Sequence, residues 1–233
     1  GPGDESLCVG SVYSYLYDFL GPKKSENYIK NPANAYWGPN ILKEDIVSFK
    51  KHNFIKKNFL FIKDLKYKKV AKILNKGEIV FVCIGKQEFG PRALGHRSII
   101  CDPSKPDLVK KINSTIKMRD FWMPFTPSIL NSHKKKYMKF NSKLNLNYMT
   151  TCLDTTELGK RHLKAAIHQS DYTVRPQIVS KSICPKYYEI IRSFSKLSGV
   201  GAVLNTSLNM HEFPIVTKPI DIIKEIIKDN KNI

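Results

Sequence analysis

The first sixty-odd residues carry an apolar stretch, SLCVGSVYSYLYDFL, followed by GPKKSENYIKNPANAYWGPN, which is rich in proline, glycine and asparagine. That order predicts a helix and then a linker. From Leu65 the pattern becomes regular. LKYKKVAKILNKG places apolar residues at helical intervals among lysines and stops near Gly77, while EIVFVCIG is a continuous apolar run suited to a buried strand. DPSKPDLVKKINSTIKM reads as a helix opened by Asp102 or Ser104, FTPSIL as a strand, and YTVRPQIVS as another. CPKYYEIIRSFSKLSG predicts a helix closed by Gly199, and VGAVLNTSLN a buried strand that runs into a polar turn. TKPIDIIKEIIKDN predicts a final helix with Pro219 in its first turn. No internal repeat interrupts this alternation, and an α/β fold built on a twisted sheet is its most economical arrangement.

Composition agrees with a packed protein. A chain of 233 residues suits one ordinary domain with an appendage, or one larger domain, and 42% hydrophobic with 11% aromatic content is too apolar for a disordered chain. No window is long and apolar enough to span a bilayer and no secretory leader pattern opens the chain, so a cytoplasmic protein without a membrane partner is expected. The opening Gly-Pro-Gly reads as a protease-cleavage scar, which puts the first natural residue at Asp4 or further upstream. Cys8, Cys83, Cys101, Cys152 and Cys184 form no CxxC pair and no Cys/His cluster at zinc spacing, so structural thiols in a reducing compartment are expected, and no metal site.

The formal charge of +19 changes the picture toward anionic partners: nucleic acid, an acidic surface, or phosphorylated small molecules. Much of it is lysine scattered among isoleucine and asparagine, a mixture that compositional bias also produces. The arginines are more informative. In EFGPRALGHRSI the strand ending near Gly85 leads into a turn where Gly90 and Gly95 permit close backbone approach, with Arg92 and Arg97 on either side of a glycine. Loops at the carboxyl ends of sheet strands are where α/β proteins bind ligands, and planar guanidinium forks match phosphate or carboxylate oxygens. A solvated surface turn accounts for either arginine alone; the pair favours an anion site. No Walker A loop is present, because neither GKS nor GKT follows.

Three further clusters are polar. Lys117 and Arg119 end a predicted helix beside an aromatic, proline-rich corner, where cations also suit a helix C-terminus. Asn205, Thr206, Ser207 and Asn209 follow a buried strand, as turn formers often do. His168, Asp171 and Arg175 lie in AAIHQSDYTVRPQIV, where a lone histidine is more often structural than catalytic.

Taken in order, EFGPRALGHRSI, KMRDFWMPFTPSIL, AAIHQSDYTVRPQIV and LNTSLNMHEFPIV resemble the C-terminal, YrdC-like domain of the carbamoyltransferases that O-carbamoylate antibiotics, nodulation factors and related metabolites. The resemblance covers residues 65–233. Residues 1–64, through DESLCVGSVYSYL and AYWGPNILKEDI, resemble the end of the family's larger N-terminal domain and its connection. It implies a YrdC-like twisted open sheet with flanking helices. It also implies binding of ATP, with magnesium, and of carbamoyl phosphate as co-substrate, to form carbamoyl adenylate. The N-terminal domain, where iron would be expected, would pass the carbamoyl group to a hydroxyl of a sugar or small metabolite. Carried over by position, Arg92, Arg97, Lys117 and Arg175 would contact phosphate and carbamoyl phosphate. Arg119, Asn205, Ser207 and Asn209 would contact the nucleotide, and His168 would line the site.

Three departures stand out. Met123 and Thr126 occupy a segment where the family has an arginine before its Pro-Phe-Ala-Pro, Tyr172 replaces the glycine of an Asp-Gly-Thr, and His211-Glu212-Phe213-Pro214 lacks the glycine of the family's His-Gly-Glu-Pro. A side chain in place of glycine changes which backbone angles are cheap. Two other classes fit parts of the pattern. A threonylcarbamoyl-adenylate synthase of tRNA modification would require threonine, and EFGPRALG and AYWGPN argue against it. A basic nucleic-acid-binding module without chemistry would show steep salt dependence and no ATP turnover, and the basic runs hold few interleaved aromatics.

Overall fold

The computed structural model describes residues 3–30, 33–120, 122–140 and 144–227. Five strands form the main sheet: β1 (Val80–Cys83), β2 (Arg97–Cys101), β3 (Thr126–Leu130), β6 (Gln177–Val179) and β7 (Ala202–Ser207); β4 (Leu153–Asp154) and β5 (Thr173–Val174) make a small antiparallel pair apart from it. The order is β1-β2-β7-β3-β6, antiparallel except for the parallel β3–β6 edge.

Residues of β2 and β7 divide between two core clusters. Ile100, Ala202 and Val203 meet the helices Tyr67–Asn75 and Pro185–Ser198 through Val70, Leu74, Tyr187, Ile191 and Phe194. Ile99, Cys101 and Leu204 meet Ile112 and Ile116, from the helix Pro106–Ile112 and the wider π-helical turn Asn113–Lys117, together with Ile222 of Pro219–Ile222. Helices on both faces of a sheet give the expected α/β architecture.

Several local expectations need correction. The strand β1 is an edge, and only Val82 in it is buried. The strand β2 was not foreseen, because its short apolar run begins with Arg97 and Ser98. YTVRPQIVS is split between β5 and β6 at Arg175-Pro176, since proline supplies no ladder N–H. Lys105 is the residue before the helix and Pro106 sits in its first turn, while Asp102 accepts hydrogen bonds from the N–H and hydroxyl of Ser104. The last helix runs Pro219–Ile222 and continues as a π-helical turn, Ile223–Ile227; the remainder of that expectation lies outside the described residues.

The connection before the sheet is built into it. Asn40 bridges Lys86, the Gly38 N–H donates to Gln87 O, and the Phe89 N–H donates to Ala35 O. Buried Tyr36 stacks on His96 at 4.0 Å between ring centroids and donates its hydroxyl to Leu94 O. The helix Leu7–Leu20 formed as expected and buries none of its residues. Among the described residues no disulfide forms, and no helix is long and apolar enough to cross a membrane.

Candidate anion-binding site

The loop between β1 and β2 is held from inside. The carboxylate of Glu88, 5% exposed, accepts from the backbone N–H of Leu94 (2.7 Å), His96 (2.7 Å) and Arg97 (3.2 Å) through Oε1. The carbonyls are met as well: Asn205 Nδ2 donates to Ala93 O, and Gln177 Nε2 and the Tyr36 hydroxyl donate to Leu94 O. Gly95, at φ +108°, lies against the Tyr187 ring, where a Cβ would stand 2.2 Å from a ring carbon. The loop is therefore rigid where Arg92 leaves it.

Arg92, Arg119 and Arg175 line one pocket of about 70 Å³, and Asn205, Thr206 and Ser207 at the end of β7 line it too. Pro91, Arg92, Met149 and Arg175 also border a larger cavity of about 540 Å³ walled by Trp37, Phe89 and Tyr148. Among the described residues no aspartate or glutamate lines either space. Burial and the neighbouring Arg92 charge hold the Arg119 guanidinium below its ordinary pKa range. Three like charges on one pocket suit an anion that brings several oxygens.

The other sequence-derived residues are placed differently. Arg97 is fully buried and begins β2, with its guanidinium donating to the carbonyls of Ile84, Gly85, His96 and Thr217. The structure thus places Arg97 as a clamp on the backbone, and it does not line the pocket of Arg92. Lys117, also fully buried, donates to the oxygens of Ser207 and Asn209 behind the pocket. Burial and then the Arg119 charge pull its pKa down to about 6. Asn209 supports the same turn, accepting from the Ser207 hydroxyl through Oδ1. His168 pairs with Asp171 at 3.1 Å and does not line the arginine pocket.

Glu88 and Gln177 are the structural residues that sequence reasoning passed over. For Glu88 a signal existed, an acid opening a glycine-rich segment with two arginines; Gln177 carried none. The lining has no carboxylate cluster to fit a resident magnesium ion, and among the described residues no group of three or more His, Cys, Asp or Glu could hold a metal.

Residues 71–233 match the family model described as carbamoyltransferase C-terminus. An uncharacterized protein of Methanocaldococcus jannaschii is 35% identical over 230 residues, which are 98% of this chain and 37% of that protein. Nodulation protein NolNO of Sinorhizobium fredii is 32% identical over 193 residues, 80% of this chain and 28% of its own length. The chain thus spans well under half of these relatives. Full-length HypF, solved in a phosphate- and nucleotide-bound form, superposes with a TM-score of 0.52 at 18% identity, over 72% of this chain and 20% of that one. That likeness is one of fold, the YrdC-like sheet with flanking helices.

Proposed function

The chain belongs to the carbamoyltransferase C-terminal family, and from that premise we propose that its arginine pocket binds ATP and carbamoyl phosphate and forms carbamoyl adenylate. The observation that carries the proposal is the gathering of Arg92, Arg119 and Arg175, from three separate segments, around one pocket. Two phosphorylated substrates repel each other, and fixed cations offset that repulsion before the reacting atoms meet. Water removes the phosphoryl group of carbamoyl phosphate as inorganic phosphate. The carbamate oxygen then bonds to the α-phosphorus of ATP while the bond to pyrophosphate breaks. Magnesium would travel on the nucleotide's phosphate oxygens. The adjoining aromatic cavity has room for the base.

We assign residues 65–233 to this adenylate-forming domain and residues 1–64 to the end of a preceding domain. Delivery of the carbamoyl group to an acceptor hydroxyl would be the work of such a domain, and iron, if used, would be held there. A substrate pair of ATP and carbamoyl phosphate implies a cytoplasmic setting.

The test is calorimetric binding of magnesium-ATP, with and without carbamoyl phosphate, to the chain and to Arg92→Ala and Arg175→Ala, followed by an assay of pyrophosphate release. Saturable binding weakened about 10- to 100-fold in each variant is expected from the loss of one charge-assisted contact. Absence of binding by the folded chain, or equal affinity in both variants and the parent, would overturn it.

A further inference from the structure

We infer that Glu88 is the positioning residue of the anion site, setting the affinity of Arg92 without touching the ligand; the inference rests on the proposal that the arginine pocket binds phosphate oxygens. One carboxylate oxygen gathers three N–H groups, from Leu94, His96 and Arg97, that point inward from the far side of the loop. Most backbone polar groups of residues 93–97 meet partners within the fold. The Ala93 carbonyl meets Asn205, the Leu94 carbonyl meets Gln177 and Tyr36, and the Gly95 N–H meets Ser98 Oγ. His96 O accepts from Ile84, and Arg97 O from Leu208. Of the four N–H groups of residues 94–97, Glu88 meets all but that of Gly95. Without it three buried donors lose their partner, and the loop has to open to water to recover them.

Arg92 lies just before this run, on the exposed side. Arg119 and Arg175 line the same pocket. A rigid loop fixes where the Arg92 backbone stands and lowers the ordering needed when an anion arrives. The carboxylate acts as a hydrogen-bond acceptor at close range, and the acceptor geometry is what the loop requires.

Charge and reach can be separated. Glu88→Gln keeps an acceptor oxygen at the same distance and removes the charge, whereas Glu88→Asp keeps the charge and falls one methylene short. The probe is inorganic pyrophosphate, titrated calorimetrically into wild type, Glu88→Gln, Glu88→Asp, Glu88→Ala, Arg92→Ala and the double variant Glu88→Ala/Arg92→Ala, with affinities referred to the folded fraction. Expected are affinity within about threefold of wild type for Gln, losses of about tenfold or more for Asp and Ala, and a double variant no weaker than Arg92→Ala alone. Hydrogen exchange at the amides of Leu94, His96 and Arg97 should quicken in Asp and Ala and stay slow in Gln. If Glu88→Ala does not fold, the contrast between Gln and Asp decides the matter.

Wild-type affinity in the folded Asp or Ala variant would overturn the inference, as would losses from Glu88 and Arg92 that add. If wild type itself binds no pyrophosphate, the anion reading of the pocket fails and this inference falls with it, an outcome distinct from additive losses in a protein that binds.

Discussion

Lys117 reaches both the backbone and the side-chain oxygen of Asn209, 92 positions away, at 2.9 and 2.6 Å. The same Nζ meets the Ser207 hydroxyl at 3.1 Å, so one buried amine ties the end of a π-helical turn to the polar turn that leaves β7. The chain approaches Arg119 through Met118 in the left-handed region, at φ +46°. Lys117 therefore sets where Ser207 and Arg119 stand in the pocket, from behind both.

The pKa of Lys117 gives this tie a pH signature. Burial, with Arg119 adding to it, lowers the pKa from its ordinary 10.5 to about 6. Between those values the unfolded chain binds a proton that the folded chain does not, so stability rises with pH across the window and levels off above it. Chemical denaturation at pH 6.5, 7.5 and 8.5 should show wild type gaining on Lys117→Met by about 1.4 kcal/mol per pH unit at most. A difference independent of pH would show that Lys117 keeps its proton in the fold.

Arg97 and Arg175 should separate stability from binding. Arg97→Ala takes their guanidinium donor from the carbonyls of Ile84 and Thr217 and is expected to cost about 3 kcal/mol or more. The pyrophosphate affinity of its folded fraction should be unchanged. Arg175→Ala, at a half-buried position on the pocket wall, should leave stability within about 1 kcal/mol and weaken binding about tenfold or more. Urea titration paired with calorimetry reads both, and a loss of affinity in folded Arg97→Ala would return that residue to the site.

Much of the scaffold was legible because it is written in short-range rules. Apolar runs marked β1, β3 and β7, and the Pro185 and Gly199 positions bracketed the helix between them. The pocket was legible only in part. Arg92 and Arg97 look alike on paper, and nothing local says that one guanidinium meets solvent while the other is enclosed by carbonyls brought from residues 84–96 and 217. The same holds for Lys117, whose acceptors come from a strand end far along the chain. Residue type indicates a possible anion contact, whereas its fate depends on tertiary closure, which periodicity does not record.

The two positions where a side chain replaces an expected glycine keep the glycine's backbone. Tyr172 has φ +57° and Glu212 φ +65°, both in the left-handed region that L side chains occupy at a cost. Glu212→Gly should therefore stabilise the fold by about 0.5–1 kcal/mol. Tyr172→Gly should gain less, because its ring lies 5.1 Å from Lys160 Nζ and that cation–π contact is lost. Urea midpoints of the two variants check this, and a destabilised Glu212→Gly would mean that the Glu212 side chain holds the turn by a contact stronger than the backbone strain.

Gly95 offers the sharpest test of the loop, because two separate causes forbid a side chain there. A Cβ would lie 2.2 Å from a carbon of the Tyr187 ring, which is fully buried and cannot retreat, and φ is +108°. Gly95→Ala is expected to lose about 3 kcal/mol or more, near the upper end for overpacking because strain adds to the clash. Tyr187→Leu makes space and removes the clash but not the strain, so adding Gly95→Ala to that background should cost only about 1–2 kcal/mol. Equal penalties in the two backgrounds, measured by urea denaturation, would show that the backbone angle alone requires glycine; a vanishing second penalty would assign the requirement to the ring.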